Sequence, residues 1–432
     1  MLTAFIRAFR TPDLRKKLLF TLFIIAVFRL GSSLPTPGVS ETAVTACLRT
    51  SASHSNLFQL VNLFSGGALL KLSVFALGIM PYITASIILQ LLAVVIPRLE
   101  TLRQEGQSGQ AKITQYTRYL TIGLAILQST GIIALARSGN LVSGCNKLIP
   151  DPSVFTITTM VIIMTAGTAV IMWLGELITD RGVGNGMSLM IFTQVIAVIP
   201  GEFEQIYEDK HAFVFGLVVL VGVAIIAFVA LMEQAQRRIP VQYAKRMVGR
   251  RMYGGTSTYI PLKVNQAGVI PVIFASSLLY IPQLAAQLFG HNATSGWAQW
   301  VDANLSRGSS GVYGAAFFLL IVFFTYFYVS ITFNPTEVAD NMKKYGGFIP
   351  GIRPGGPTAG YLSYVLSRLT AAGSLYLALV ALIPVVAIGL LSSDQQFPLG
   401  GTSIMIAVGV GLDTVKQIES QLQQRNYEGF LR

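Results

Sequence analysis

Long uncharged apolar stretches recur along the chain, and they limit its possible folds more than any other feature of the sequence. The clearest stretches span residues 154–175, 212–232, 312–333 and 371–391. Each has about the 20 residues that an α-helix needs to cross a hydrocarbon core of roughly 30 Å. The composition agrees, because only 12% of the 432 residues are charged, against roughly 25% in a soluble domain. The sequence therefore predicts a polytopic membrane protein.

Six further stretches are less uniform and complete a set of ten predicted spanning helices. They cover residues 18–34, 74–96, 119–136, 187–200, 267–289 and 403–422. A transmembrane β-barrel would show segments that alternate apolar and polar residues, whereas these stretches are apolar at successive positions. The predicted fold class is therefore all-α. No cleavable signal peptide is expected, because Arg15, Lys16 and Lys17 precede the first stretch and no small-residue cleavage motif follows.

The positions of the basic residues orient the predicted helices. The net charge is +12, and 24 of the 31 Lys and Arg residues fall in segments that are cytoplasmic if the amino terminus is cytoplasmic. Six fall in the opposite loops, and Arg29 lies within the first helix. This asymmetry satisfies the rule that basic residues stay on the cytoplasmic side. Both termini and the two largest basic loops, 233–266 and 334–360, are therefore predicted to be cytoplasmic.

Ten helices divide into two sets of five, and because five is odd the second set enters the membrane from the opposite side. This arrangement is typical of an inverted repeat, whose functional sites lie where the halves meet. The predicted halves are residues 1–205 and 206–432. Glycines or prolines interrupt the second helix at 78–81, precede the fifth at 182–186 and interrupt the seventh at Pro271 and Pro282. Interrupted helices are tolerated at membrane depth where they line a cavity, so these three helices are predicted to line one.

Three loop segments leave alternatives open. Residues 57–73 are half apolar, which fits either a re-entrant segment or an amphipathic helix on the outer surface. The loop 233–266 carries seven basic residues, which fit anionic lipid headgroups and a phosphate-rich or acidic partner equally well. In the loop 334–360, glycines and prolines surround Arg353, which favours a rigid docking loop over a charge that only sets topology.

Motifs of known catalytic chemistry are missing from the sequence. It has no HExxH, no GxSxG, no phosphate-binding GxxxxGK[ST] and no CxxC, so neither an enzyme nor a cofactor is predicted. Ion-coupled transporters carry titratable groups at mid-membrane. Here Arg29 and Asp413 are the exceptions, each near the end of its helix, and snorkelling or a surface ion pair is the interpretation for both. The residues alone favour a conduit whose energy comes from elsewhere.

The cysteines and histidines all fall in loops on the predicted outer side. Cys47 and Cys145 share that compartment, and we hypothesise that they form a disulfide there. The three histidines are far apart in the sequence, so they are predicted to be solvated loop residues and not metal ligands.

Several longer motifs, covering the chain from residue 17 to its end, resemble the SecY family of bacterial protein-translocation channels. They are FRLGSSLPTPGV, LFSGGALLKLSVFALGIMPYITASIILQLL, EGQSGQAKITQYTRYLT, MWLGELITDRGVGNGMSL, YAKRMVGRRMYGG, PLKVNQAGVIPVIFASSLL, FNPTEVADNMKK, FIPGIRPG and RLTAAGSLYLALVALIP. The resemblance implies a passive channel in the bacterial cytoplasmic membrane that passes unfolded secretory chains and releases membrane helices sideways. An ion-coupled secondary transporter is the alternative function.

The resemblance also implies roles for individual residues. Residues 57–73 correspond to the family's plug, with Phe64, Ser65, Gly66 and Gly67 at its centre. The implied apolar pore ring consists of Ile79, Ile83, Met187, Ile191, Ile273 and Ile406. The implied lateral gate, between the second and seventh helices, consists of Thr84, Gln128, Asn265 and Ile281. Spacing supports the ring in part, because Ile79 and Ile83 lie four residues apart and share one helical face, as do Met187 and Ile191.

Partners follow from the same resemblance. Arg238, Arg250 and Arg251 match basic residues that meet ribosomal RNA in the family, and Arg353 matches an arginine used by the SecA motor ATPase and by the ribosome. The small membrane subunits SecE and SecG are implied as well. Signal peptides, nascent chains and membrane lipids complete the expected partners.

Overall fold

The computed structural model describes most of the chain. The described residues are 9, 11–40, 42, 44, 65–69, 71–137, 148–150, 153–209, 212–243, 246–248, 251–253, 257–289, 296–305, 310–391 and 401–428. Some predictions fall outside these residues and are not addressed by the structure. They concern the plug residue Phe64, the docking residue Arg250, the pair Cys47 and Cys145, and the histidines His54, His211 and His291.

Helices dominate the described residues. They are α1 (Pro12–Ser33), α2 (Met80–Val95), α3 (Pro97–Gln104), α4 (Gln107–Arg137), α5 (Val154–Arg181), α6 (Gly186–Asp209), α7 (Ala212–Gln234), α8 (Ile270–Phe289), α9 (Gly296–Asn304), α10 (Gly311–Thr332), α11 (Pro335–Lys344), α12 (Gly356–Leu391) and α13 (Gly401–Glu428). Each of the ten predicted apolar stretches overlaps one of them. Helices are the form that such stretches take, because lipid offers no hydrogen bonds and the backbone must satisfy its own.

Within the described residues, fewer than the ten predicted helices pass a test of length and hydropathy for membrane spans. Among the described residues, four helical segments are long and apolar enough to cross a membrane, or up to five if a bent pair counts as one span. The four are Gln107–Arg137, Val154–Arg181, Gly311–Lys344 and Gly356–Ile383. The others are shorter or more polar within these residues, so the figure of ten remains a prediction.

The second predicted helix begins later than its apolar pattern suggests. Residues 74–79 form turns, and α2 starts at Met80. Gly78 takes a φ of +57°, in the left-handed region, and Pro81 occupies the first turn of α2, where its missing N–H costs nothing. Hydropathy alone cannot distinguish a buried turn from a helix, so the helix start predicted from the sequence, residue 74, is too early.

The two predicted cytoplasmic loops combine into one sheet, which the all-α prediction missed. β1 (Gln236–Tyr243) pairs antiparallel with β4 (Ser257–Lys263) on one side and with β5 (Gly347–Phe348) on the other. Between β1 and β4, the short strands β2 (Arg246–Val248) and β3 (Arg251–Tyr253) form a hairpin of their own. The loops 233–266 and 334–360 are thus one structural unit.

Sequence periodicity explains why β1 is a strand. Ile239 and Val241 are buried, while the residues on either side of each are exposed. This alternation with a period of two is the strand pattern, and it is visible in the basic run RRIPVQY. Below the strand, Leu362 and Met342 close a small apolar core of the sheet. The sheet is therefore packed onto the start of α12 and is not a loose basic loop.

Candidate pore, plug and gate

All six residues predicted for the pore ring share one apolar cluster. Four of them are buried, and Ile83 and Met187 pack against the cluster while partly exposed. The buried members are Ile79, Ile191, Ile273 and Ile406. They come from α2 or the residue before it, α6, α8 and α13, so the cluster forms only when four distant segments of the chain meet.

Met187 and Ile191 owe their positions to the glycine-rich segment that precedes α6. The Asn185 side-chain oxygen accepts hydrogen bonds from the backbone N–H groups of Met187 and Ser188 at 3.1 and 3.4 Å. This cap starts the helix. A side chain at Gly186 would meet the carbonyl oxygen of Gly175 on α5, so only glycine allows this close approach. The interruption predicted from GVGNG therefore allows the start of α6 to pack closely against α5.

A cavity of about 490 Å³ opens onto the ring. Its apolar floor includes Ile83, Met187, Ile191 and Ile273, and its walls carry Gln90, Thr114, Arg118, Glu176, Asp180 and Asn185. Arg118 lies in a segment predicted to be cytoplasmic, so this funnel faces the predicted cytoplasmic side. Residues of α2, α6 and α8 line it, which confirms that the three interrupted helices border a cavity. The cavity thus combines polar and charged side chains with four of the six predicted ring residues.

Among the predicted plug residues Ser65, Gly66 and Gly67, Gly66 contacts both α1 and α6. The Ser65 hydroxyl is buried and accepts the backbone N–H of Leu69 at 3.0 Å. On α1, Arg29 Nη1 donates to the carbonyl oxygen of Gly66 at 2.9 Å. Arg29 is exposed, as a snorkelling or surface residue would be, and the structure adds a partner 37 positions away that the sequence did not indicate. Asp413, by contrast, does form a surface ion pair, with Lys263 at 3.2 Å.

Three of the four predicted gate residues line a single small cavity of about 40 Å³. Thr84 on α2, Gln128 on α4 and Ile281 on α8 surround it. Ser277, which sequence reasoning missed, lies on the same cavity, and its buried hydroxyl has no hydrogen-bond partner among the described residues. Ser277 and Ile281 are four positions apart on α8, and that spacing could have identified Ser277.

Asn265, the fourth predicted gate residue, lies elsewhere. Its Nδ2 donates to Glu233 Oε1 at 2.6 Å and to the carbonyl oxygen of Gly268 at 3.2 Å. Asn265 thus joins the end of α7 to the turn before α8, and the structure does not bring it to the cavity that the other three share.

The predicted docking arginines differ in their surroundings. Arg238 is exposed on β1 and lies over the ring of Tyr259 at 4.9 Å from its centroid. Arg353 is exposed at the tip between β5 and α12, where Gly351 and Gly355 take φ values of +82° and +103°. The Thr358 hydroxyl donates to the Arg353 carbonyl at 2.9 Å, which ties the tip to α12. Arg251 lies on β3.

An apolar cluster from four distant segments, reached by a cavity with polar walls, suits a membrane channel. The fold is that of a protein-conducting channel, because a solved structure described by those words matches 94% of this chain and 91% of its own, with a TM-score of 0.64 and 18% identity. The sequence model of the SecY family matches residues 73–415. This chain belongs to the SecY family.

Full-length relatives agree with this assignment. The protein translocase subunit SecY of Streptomyces scabiei is 65% identical, and that of Mycobacterium tuberculosis is 60% identical. In both comparisons the alignment covers 100% of this chain and of the relative. Membership of the family makes the chain a multi-pass membrane protein of a translocation channel, and it excludes the secondary transporter left open by the sequence.

Proposed function

We propose that this chain is the passive pore through which unfolded secretory polypeptides cross the bacterial cytoplasmic membrane. The observation that carries the proposal is the meeting of six ring residues from four segments in one apolar cluster, four of which line the funnel. A constriction of branched apolar side chains can exclude water and ions when empty. It also yields to many passing sequences, because it makes no specific bonds with them. Met187 suits such a ring, since its side chain is apolar and adaptable.

Lateral release into lipid would occur between α2 and α8. Thr84, Gln128 and Ser277 supply polar groups across this contact, and Ile281 borders it. Interhelical hydrogen bonds in membranes contribute about 0.6 kcal/mol each on average. A hydrophobic signal helix that partitions into lipid could displace such weak bonds. In this proposal the halves 1–205 and 206–432 move apart at this seam, and Asn265 acts as a brace between α7 and α8 and not as a gate residue.

Docking would take place on the sheet that joins the two cytoplasmic loops. Arg238 on β1 and Arg353 at the rigid tip offer positive charge at defined positions. Arg251, which belongs to β3, and Arg250, which precedes it in the sequence, would add to this charge. Such charges suit the phosphates of ribosomal RNA and acidic protein surfaces. Among proteins with this fold, one is Sec61 in the canine ribosome-channel complex, with a TM-score of 0.59. Another is the idle yeast Ssh1 complex bound to the yeast 80S ribosome, with a TM-score of 0.61.

Energy would come from partners, since the sequence has no phosphate-binding loop of its own. We assign nucleotide hydrolysis to SecA or to the translating ribosome, so the chain itself is not an enzyme and needs no cofactor. SecE and SecG would be its small membrane partners. Both termini would be cytoplasmic, in keeping with the distribution of basic residues.

Reconstitution tests the proposed function. The chain, with its small partner subunits, is placed in proteoliposomes with SecA, ATP and an unfolded secretory precursor. Protease-protected precursor is expected only when both SecA and ATP are present. Uptake of a small solute driven by an ion gradient, without any protected precursor, would contradict the proposal.

A further inference from the structure

Two residues that the proposed function leaves unused meet the plug at the same glycine. Arg29 of α1 donates to the Gly66 carbonyl at 2.9 Å. On the other side, a Cβ built on Gly66 would lie 3.2 Å from the Cα of Gln194 in α6. Gly66 also has a φ of +67°, which L side chains rarely adopt. The plug backbone is therefore seated closely between α1 and α6 at this point.

The base of the plug is attached to the chain that follows α1. Both the backbone N–H and the hydroxyl of Thr36 donate to the Leu72 carbonyl, at 3.0 and 2.6 Å. The N–H of Val74 donates to the Leu34 carbonyl at 2.9 Å. These bonds lie at the end of the plug, and they can persist if its centre moves away from the pore. The bond from Arg29 to Gly66 cannot, because it holds the centre itself.

Arg29 lies where water can replace this bond. It lines an outer cavity of about 660 Å³ together with Lys71, Gly66 and Gly67. The bond to Gly66 is charge-assisted, and such bonds are stronger than those between neutral groups. Its loss on opening is offset only in part by hydration of the guanidinium. Arg29 thus favours the seated plug.

Gln194 acts in the opposite direction. Its side chain is fully buried, and neither its amide nitrogen nor its amide oxygen has a hydrogen-bond partner among the described residues. It follows Met187 by seven positions and Ile191 by three, so it lies on the ring-facing side of α6. A buried amide without partners destabilises the conformation that buries it. When Gly66 departs, water can reach this face of α6 and hydrate the amide.

We propose that Arg29 and Gln194 are positioning residues that set the resting state of the plug with opposite signs. The hydrogen bond from Arg29 to Gly66 stabilises the closed conformation of the plug, and the unpaired amide of Gln194 destabilises it. The balance between them keeps the plug closed at rest and leaves it easily displaced by an arriving chain. This inference rests on the proposed function of the chain as a protein-conducting channel.

Resting ion conductance of the complete reconstituted channel tests the inference. The variant Arg29→Gln is expected to raise it by about fivefold, since it removes a hydrogen bond with a charged donor. Arg137→Gln at the end of α4 is the matched control, because it removes an equal charge from the same predicted outer side and lies outside the plug. It should leave conductance unchanged within about twofold, since the effect belongs to the bond and not to the charge. Arg29→Lys, which keeps a cationic donor, should restore most of the seal.

Gln194→Met provides the second arm. It replaces the unpaired amide with an apolar side chain of similar length, so in the Arg29→Gln background it should return conductance at least halfway to the native value. If Arg137→Gln raises conductance as much as Arg29→Gln, or if Gln194→Met raises it further, the inference is overturned. Transport of an intact precursor by SecA and ATP is measured in every variant. Normal transport with unchanged conductance defeats this inference alone, whereas no transport by the native chain defeats the proposed function.

Discussion

Arg118 and Glu176 form a two-pronged ion pair that joins α4 to α5 in the wall of the funnel. Arg118 Nε lies 2.9 Å from Glu176 Oε1, and Nη2 lies 2.8 Å from Oε2. The Glu176 side chain is 23% exposed, so one partner is shielded from water. The planar guanidinium matches the carboxylate in this geometry and fixes the orientation of both groups. The pair therefore holds the polar entrance in shape next to the apolar ring.

A double-mutant cycle should detect this pair. Arg118→Gln, Glu176→Gln and the double variant are expected to give a coupling free energy of about 1 kcal/mol, at the upper end for partly exposed pairs. The quantity measured is the free energy of unfolding in detergent. Lys112 and Glu105, which are 3.7 Å apart and 58% and 49% exposed, are the control. Their coupling should be near zero, and equal coupling in both pairs would contradict the role given to geometry.

The ring makes a second prediction. Replacing both Ile83 and Ile191 with glycine should raise the resting ion conductance, because the constriction then loses the side chains that exclude water. Ile126→Gly on α4 is the control, since Ile126 is 47% exposed and lies outside the ring cluster. Each glycine weakens the helix that contains it by about 1 kcal/mol. If the control leaks as much as the double variant, helix weakening and not the ring accounts for the conductance.

Crosslinking tests the gate. In a chain with Cys47 and Cys145 replaced by serine, Thr84→Cys with Ser277→Cys should be joined by a short bifunctional thiol reagent, because both positions line one small cavity. Precursor transport should stop after crosslinking, since α2 and α8 can no longer separate.

Asn265 supplies the control for that experiment. The pair Thr84→Cys with Asn265→Cys should not crosslink, because Asn265 contacts Glu233 and Gly268 outside the cavity. Efficient crosslinking of this control pair, or full transport by the crosslinked gate pair, would show that the gate lies elsewhere.

Arg353 tests the docking surface. Arg353→Glu should abolish SecA-driven transport while the amount of chain in the membrane stays unchanged, because the rigid tip then repels an acidic partner surface. Lys344→Glu makes the same charge change at another exposed position of the segment, at the end of α11. The control is expected to keep most of the transport. Full SecA-driven transport by Arg353→Glu would remove the tip from the docking surface.

Local pattern was enough to predict some parts of this protein. The apolar stretches predicted helices, and all ten overlap one, because an uncharged chain in lipid must satisfy its backbone internally. The glycines of 182–186 predicted an interruption before α6, and the structure has it there. By contrast, the pattern of 74–79 looked helical and forms turns, and the strand period in RRIPVQY was overlooked.

The ring, gate and plug residues came from resemblance and not from pattern. Ile79 and Ile406 are more than 300 positions apart and pack in one cluster, which no local signal encodes. No local signal distinguishes Ser277 from other helix residues, and its place in the gate cavity depends on the contact of α8 with α2 and α4. The sequence indicated no partner for Arg29, and only the structure shows its hydrogen bond to the Gly66 carbonyl.

The sequence by itself determined that the chain is a helical membrane protein, which way its basic loops are predicted to face, and to which family it belongs. These properties depend on composition and short-range order, since hydropathy and charge act residue by residue. Only the tertiary structure decided that Arg29 bonds to Gly66, that Gln194 is buried with no hydrogen-bond partner among the described residues and that two loops share one sheet. Those facts depend on which distant segments meet, and contact between distant segments is set by packing of the whole chain.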